Sequence, residues 1–361
     1  MNDIILISGE LGSFDSIFAV LSSKAMQFLN EKFAEIFDNK QWREVIFDKA
    51  LYPHKNGRHW GRGDPYKQVG LEIPWVRNTF GFTDWEIDYD SEPVLNWMKN
   101  NNYMLPILSC VAYVLFVFVI GPKIVEIRGK PFGLNGPLAL WNLLLSVFSF
   151  WGASRTVPHL FWRLANETFE DTVCRSPHVA FGGGATGVAV QFFCLSKIPE
   201  LIDTVFLVLK KKPVIFLHWY HHITVLLYCW NSYVTESAAG LYFCAMNYCV
   251  HALMYFYFFL MAIQMVPKWF NPFILTAFQI SQMVVGTSVV GACIYYHYYG
   301  TKTYQFQPNI VGTRKCNNLE SNLIAGGIMY ASYLYLFCEF AVKRFFFGIN
   351  EYEKKPKVKD Q

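Results

Sequence analysis

The sequence predicts an all-α, polytopic membrane protein with seven transmembrane helices. Three observations carry that prediction. Charged residues make up 16% of the 361-residue chain, against roughly 25% in ordinary soluble domains. Apolar residues gather into long runs separated by short polar stretches, and about 20 of them in a helix cross the hydrocarbon core. Lys and Arg cluster at the ends of these runs rather than along one face, so they speak of membrane topology and not of nucleic-acid binding. The net charge, +4, is small, and the placement of the basic residues carries the information.

Residues 1–100 stand apart as an N-terminal extension, polar and aromatic, with the loop-like stretch "HKNGRHWGRGDPYKQ" near its centre. The opening "MNDIILISGE" lacks the basic region and cleavage site of a signal peptide, so the first span is expected to serve as the targeting signal. Segment 13–37 reads as an amphipathic helix, with Phe14, Ile17, Phe18, Leu21, Met26, Phe28, Leu29 and Phe33 as its apolar residues. The extension is expected to be a tail or a small accessory region.

The seven spans are expected at 103–121, 137–157, 184–209, 214–234, 239–265, 273–299 and 322–347. They form a domain over 101–347, followed by a lysine-rich tail over 348–361. The third span contains Lys197, Glu200 and Asp203, and its assignment rests on apolar flanks and on the spacing of its neighbours. Pro199 removes a backbone donor there and is expected to bend the helix. No internal repeat is visible.

Orientation follows from the basic residues of the short loops. One side receives Lys123, Arg128, Lys130, Lys210, Lys211, Lys212 and Lys268, together with Lys343, Arg344, Lys354, Lys355, Lys357 and Lys359 near the C-terminus. The other receives Arg163, Arg175, Lys302, Arg314 and Lys315. The richer side is cytosolic by the positive-inside rule. An odd number of spans then places the N-terminus in the lumen and the C-terminus in the cytosol. Cys174 and Cys316 fall in lumenal loops, where disulfides persist, and are expected to pair. Asn166 opens an N-E-T glycosylation sequon on the same side. Lys357 and Lys359 have the spacing of a cytosolic dilysine retrieval signal of the endoplasmic reticulum. The remaining cysteines (Cys110, Cys194, Cys229, Cys244, Cys249, Cys293 and Cys338) lie in apolar runs and read as small buried hydrophobes.

Ionisable groups inside spans are costly, and a functional site is their default reading. His218, His221 and His222 follow H-x-x-H-H, a spacing that puts all three on one helical face. The next span carries Asn247, His251 and Tyr255 at i, i+4 and i+8, a second stripe. Lys197, Glu200 and Asp203 are each three residues apart, so the set can project inward and compensate its own charges. His297 is expected at the interface, whereas His54, His59, His159 and His178 lie in or near loops and need no special role.

Two enzyme chemistries fit such a cluster. Imidazoles bind iron, and H-x-x-H-H is one box of the membrane di-iron desaturases and hydroxylases. That chemistry asks for further boxes, including an H-x-x-x-H, and no second box is present. The alternative is metal-free acyl transfer. Neutral imidazole is both base and nucleophile at cellular pH, and its attack on a thioester gives an acyl-imidazole. A proton- or metal-coupled transporter is the rival outside enzymology, because intramembrane Lys, Glu, Asp and His can carry ions. Against it, the charged residues show no repeat-related counterpart. A seven-span receptor and a silent scaffold fit the cluster less well.

The motifs also carry a family resemblance. "LSKIPELIDTVFLVLKKKPVIFLHWYHHITVLLYCW", "MNYCVHALMYFYFF" and "YASYLYLFCEFAVKRFF" resemble the very-long-chain fatty acid elongases of the endoplasmic reticulum over roughly residues 92–350. The resemblance rests on K-x-P-E-x-x-D-T at Lys197–Thr204, H-x-x-H-H at His218–His222 and N-x-x-x-H-x-x-M-Y at Asn247–Tyr255. It implies a 3-oxoacyl-CoA synthase that condenses a long-chain acyl-CoA with malonyl-CoA, releasing carbon dioxide and CoA. It implies seven helices around an enclosed acyl-chain tunnel, no bound cofactor and no metal. His221 would carry the acyl group, with His222 and His218 orienting and deprotonating it. His251 would bind malonyl-CoA and stabilise its enolate, and Asn247 would hold His251 or the thioester oxygen. Lys197, Glu200, Asp203 and Tyr255 would shape the substrate site, and Lys210, Lys211 and Lys212 would attract CoA phosphates. The flanks of the box look most like the branch acting on saturated and monounsaturated chains. Expected partners are the bilayer, the ketoacyl reductase, dehydratase and enoyl reductase of the cycle, and a second copy of the chain.

Overall fold

The computed structural model describes residues 68–100, 103–307 and 310–348. The amphipathic segment expected at 13–37, together with His54, His59, Lys354, Lys355, Lys357 and Lys359, lies outside them. Four short helices come first: α1 (Val69–Glu72), α2 (Pro74–Phe80), α3 (Asp84–Ile87) and α4 (Glu92–Asn100). Turn chemistry sets their ends. Gly81 closes α2 in the left-handed region at φ 63°, and Thr83 with Glu86 forms a reciprocal capping box on α3, which satisfies two backbone donors.

The first long helix, α5, runs Met104–Arg128 and passes through a π turn at Phe116–Ile120. It overruns the expected 103–121, so Lys123 and Arg128 sit in its last turns. α6 (Asn135–Asn166) has 32 residues and extends well beyond the expected 137–157. Arg163 and His159, expected in or near a loop, are therefore helical and fully buried. Arg163 donates to Glu167 Oε2 at 2.7 Å and to the carbonyl of Asp171 at 2.9 Å. His159 Nε2 lies 2.8 Å from the carbonyl oxygen of Ala180. Asn166, the last residue of α6, is exposed.

Two short helices, α7 (Phe169–Cys174) and α8 (Pro177–Ala180), lead into α9 (Gly184–Ser196). The expected third span is not one continuous helix. After α9 the chain tightens into a single 3-10 turn at Pro199–Leu201 and resumes as α10 (Ile202–Leu209). Pro199 lacks the donor that a continuous α-helix needs there. α11 (Phe216–Val234) is one unbroken helix of 19 residues. α12 (Gly240–Ala262), α13 (Phe273–Tyr299) and α14 (Glu320–Phe346) follow. Five helices among the described residues are long and apolar enough to cross a membrane: α5, α6, α12, α13 and α14. α9–α10 is interrupted, and the three histidines of α11 lower its hydropathy.

The architecture is helical except between α13 and α14. There, where the sequence suggests a plain loop, β1 (Tyr304–Gln307) and β2 (Ile310–Arg314) pair antiparallel, with an irregularity between Gln305 and Gln307. The Cys174–Cys316 disulfide forms as expected and joins α7 to the end of this hairpin. Lys302 Nζ and the Tyr304 hydroxyl both donate to Asp171, at 2.6 and 2.9 Å. Burial pushes the Asp171 carboxyl up, but these donors, Thr168 and the Arg175 charge hold it down at about 2.

The core lies between α6, α9, α11 and α12. α6 and α12 pack closely because Gly152 has no side chain: a Cβ there would overlap the Tyr248 ring. The Tyr248 hydroxyl then reaches the Ala189 carbonyl on α9 at 2.8 Å. Residues 68–100 are more than a tail. Arg155 on α6 grips Glu86 with two nitrogens, at 2.8 and 3.1 Å, and Trp151 Nε1 adds a third bond at 2.9 Å. Burial raises the Glu86 carboxyl, yet Arg155, Thr83 and Trp151 together leave it lowered. Of the cysteines read as buried, Cys249 and Cys338 are exposed, and the other five are buried.

Candidate functional site

The first two turns of α11 present His218, His221 and His222. The N-terminal residue of the pattern, His218, and the C-terminal one, His222, face each other edge-on with ring centroids 4.6 Å apart. The His221 and His222 rings stand 5.6 Å apart. His222 is buried, and the other two are half-buried. The i, i+3, i+4 spacing therefore does gather the rings as the sequence implies.

Neighbouring helices grip each histidine differently. His218 Nε2 lies 2.9 Å from Thr204 Oγ1 on α10, and Thr204 Oγ1 lies 2.8 Å from the Tyr113 hydroxyl on α5. The His221 ring packs 5.1 Å from Tyr333 on α14. Tyr333 donates to the His221 carbonyl at 3.2 Å and lies 2.6 Å from Thr224 Oγ1. His251, buried midway along α12, has the Tyr255 ring edge-on at 5.3 Å.

The charged set at the break between α9 and α10 divides in two. Lys197 Nζ reaches both carboxylate oxygens of Glu200, at 2.8 and 3.0 Å, and Asn247 Oδ1 on α12 at 3.2 Å. Ser196 adds a bond to Glu200 Oε1 at 2.8 Å, and the Phe193 ring lies under the ammonium at 4.1 Å. Asp203 does not join this pair. Its oxygens accept from Trp141 Nε1 on α6 and from the Tyr255 hydroxyl, each at 2.6 Å. The compensation expected within the set holds for Lys197 and Glu200, whereas Asp203 is met by neutral donors. A buried ion pair needs such extra hydrogen bonds to offset its desolvation.

Lys210, Lys211 and Lys212 do not join the cluster. They form the turn after α10, roughly 10 Å of helical rise beyond Asp203, with Lys211 in the left-handed region at φ 54°. Lys210 bonds Asn135, and Lys211 and Lys212 are exposed. That turn runs directly into α11, so the basic residues flank the end of the helix that carries the imidazoles.

Sequence reasoning missed Tyr113, Trp141, Thr204 and Tyr333. A usable signal existed for the aromatics, because a buried Tyr or Trp has a polar tip that needs a partner. Thr204 closes the K-x-P-E-x-x-D-T run and still received no role.

An apolar cavity opens between α9, α11 and α12. Val190, Phe193, Tyr228, Cys229 and Phe243 line it, and Phe193 is the ring under Lys197. Leu95 of α4 and the turn after α11 also line it. Glu236 in that turn bonds Lys99 Nζ at 2.6 Å and His178 Nε2 at 2.9 Å. Burial pushes Glu236 up, but His178 and Lys99 hold it down at about 2.

Fold and site define a helical membrane protein with imidazoles clustered on one helix that follows a basic turn. The chain belongs to the fatty acid elongase family: ELO, the GNS1/SUR4 family, matches residues 98–359. It is 37% identical over 293 residues to "Fatty acid elongase 3" of Trypanosoma cruzi (strain CL Brener), covering 74% of this chain and 92% of that one. It is 36% identical over 278 residues to "Very long chain fatty acid elongase 6" of Drosophila melanogaster, covering 77% and 83%. It is 38% identical over 258 residues to "Very long chain fatty acid elongase 6" of Gallus gallus, covering 71% and 90%.

Proposed function

We propose that the protein is the condensing enzyme of fatty acid elongation, a 3-oxoacyl-CoA synthase. The observation that carries this reading is the gathering of the H-x-x-H-H imidazoles on one face of α11, with His218 and His222 4.6 Å apart, in a member of the elongase family. The substrates are a long-chain acyl-CoA, saturated or monounsaturated, and malonyl-CoA, with no bound cofactor. His221 attacks the thioester carbonyl, the carbon–sulfur bond breaks, and CoA leaves as the thiol with the proton taken from the cluster. The acyl group then rests on His221 as an acyl-imidazole. Malonyl-CoA loses carbon dioxide, and the electron pair of that bond becomes an enolate. The enolate carbon attacks the acyl carbonyl and breaks its bond to the His221 nitrogen, which takes up a proton from solvent to return to neutral imidazole, giving 3-oxoacyl-CoA two carbons longer.

His222 and His218 support His221 in this scheme, and His251 faces the malonyl group. Asn247 orients the thioester oxygen, and the Lys197 ammonium beside it favours negative charge developing there. Tyr255 and Asp203 hold the His251 side of the site. Lys210, Lys211 and Lys212 attract CoA phosphates at the mouth. The apolar cavity between α9, α11 and α12 supports a tunnel for the acyl chain, its thioester end at the imidazoles and its methyl end toward Glu236.

In the same reading, α9–α10 and α11 complete seven spans, the N-terminus is lumenal and the C-terminus cytosolic. The disulfide and the Lys210–Lys212 turn at opposite ends of the helices agree with that orientation. Residues 1–100 form a lumenal extension and 348–361 a cytosolic tail in the endoplasmic reticulum. The reductases and dehydratase of the cycle, the bilayer and a second copy of the chain are its partners. The test is release of labelled carbon dioxide from carboxyl-labelled malonyl-CoA by purified protein in lipid. Release that depends on added acyl-CoA supports the reading, and none with any acyl chain length rejects it.

A further inference from the structure

The reaction set out above uses neither Thr204 nor Tyr113, yet their hydroxyls form a chain that ends on a box histidine. The Tyr113 hydroxyl lies 2.8 Å from Thr204 Oγ1, and Thr204 Oγ1 lies 2.9 Å from His218 Nε2. Thr204 and Tyr113 are both buried. Each hydroxyl has one proton to give, and a buried donor without an acceptor is costly.

Two directions of donation are open. In one, His218 carries its proton on Nε2 and gives it to Thr204, and Thr204 gives its own to Tyr113. The Tyr113 proton then has no acceptor among the described residues. In the other, Tyr113 donates to Thr204 and Thr204 donates to His218 Nε2, and the one proton left over is on Nδ1 of the half-buried His218 rather than on the buried Tyr113, the less costly place for it. We infer that Tyr113 and Thr204 are positioning residues that hold neutral His218 as the tautomer protonated on Nδ1, with Nε2 engaged. The proton on one ring nitrogen is set by the bond the other makes.

This sharpens the reading of the site and rests on the condensation chemistry proposed above. His218 cannot take a proton at Nε2 while Thr204 donates to it. Its Nδ1–H is left free to donate, and the base beside His221 is His222, whose ring lies 5.6 Å from that of His221. Adjacent residues of α10 thus hold the two histidine helices: Thr204 contacts His218 of α11, and Asp203 accepts from Tyr255, which packs on His251 of α12.

The test reads the tautomer directly. Protein with 13C,15N-labelled histidine is placed in lipid bilayers, and its ring nitrogens are observed by solid-state NMR. The signals lost in His218→Gln identify His218. The expected result is a protonated Nδ1 and a bare Nε2, with Thr204→Val or Tyr113→Phe giving a mixture of tautomers. Either variant serves if the other does not fold. A wild-type His218 protonated on Nε2 overturns the inference, whatever the activity of the protein. Turnover gives a second readout. Thr204→Val should lower kcat about tenfold, the worth of one hydrogen bond in a barrier, with KM for both substrates unchanged. Thr204→Ser should restore most of that loss. A purely packing role gives the reverse order, because Val fills the site and Ser leaves a gap, and that order overturns the inference. Wild-type protein that shows the Nδ1 tautomer but no condensation would reject the functional reading and leave the tautomer assignment standing.

Discussion

The Lys197 ammonium lies 2.8 and 3.0 Å from the two carboxylate oxygens of Glu200, three residues along the chain. Both side chains are buried, at 2% and 5% exposure, and the helix between them is broken at Pro199. Lys197 also reaches Asn247 Oδ1 on α12 at 3.2 Å. Removing one member of such a pair strands a buried charge, at a cost of about 3–5 kcal/mol. Lys197→Met should therefore lower the thermal midpoint in detergent and abolish condensation. Adding Glu200→Leu should recover much of the stability and none of the activity. Recovery of activity in the double variant would show that the pair is scaffolding only.

The cavity should set which acyl chains are accepted. Val190→Phe narrows it and should move product length toward shorter chains. Phe243→Ala widens it and should move products the other way. Product chains of 3-oxoacyl-CoA separated by mass spectrometry decide this, and unchanged length distributions in both variants would place the acyl chain elsewhere.

Glu236 ties α4 and α8 to the turn after α11. Its carboxyl is held at about 2 against an ordinary 4.5, so the folded state binds its proton more weakly than the unfolded chain does. The stabilisation is complete above about pH 4.5 and is lost as the pH falls from there toward 2, and it is worth roughly 3 kcal/mol. Between pH 6 and 3 the wild-type thermal midpoint should fall more steeply than that of Glu236→Gln. Parallel curves would contradict the assignment.

The Cys174–Cys316 bond closes a loop with a sequence separation of 142. A cross-link of that span stabilises by about 5 kcal/mol in the chain-entropy account. Non-reducing peptide mapping should recover the joined peptides, and Cys174→Ser with Cys316→Ser should lower the thermal midpoint by several degrees. Free thiols at both positions in the native protein would contradict the pairing.

Local patterns made part of this site legible. His218, His221 and His222 lie within five residues on one helix, so their common face follows from helical geometry alone. The Cys174–Cys316 pair was legible because the sequence puts both in polar stretches between apolar runs, on the side expected to be lumenal. Contacts between helices were not legible. Nothing in the sequence near Asp203 shows that Trp141 and Tyr255 meet it, and nothing near His218 shows that Tyr113 lies behind Thr204. The hairpin at Tyr304–Arg314 was also hidden, because two short strands in a loop give little periodic signal. The interruption at Lys197–Leu201 was legible through Pro199, though its 3-10 form was not.

The central claim is that His221 carries the acyl group. Purified protein is incubated with a saturated sixteen-carbon acyl-CoA and no malonyl-CoA, and intact-protein and peptide mass spectrometry look for an adduct. The account predicts one acyl group on His221, free CoA released in equal amount, and neither adduct nor condensation in a folded His221→Ala variant. No adduct at any chain length, with condensation confirmed once malonyl-CoA is added, would contradict it and make the reaction a direct condensation with His221 as a base.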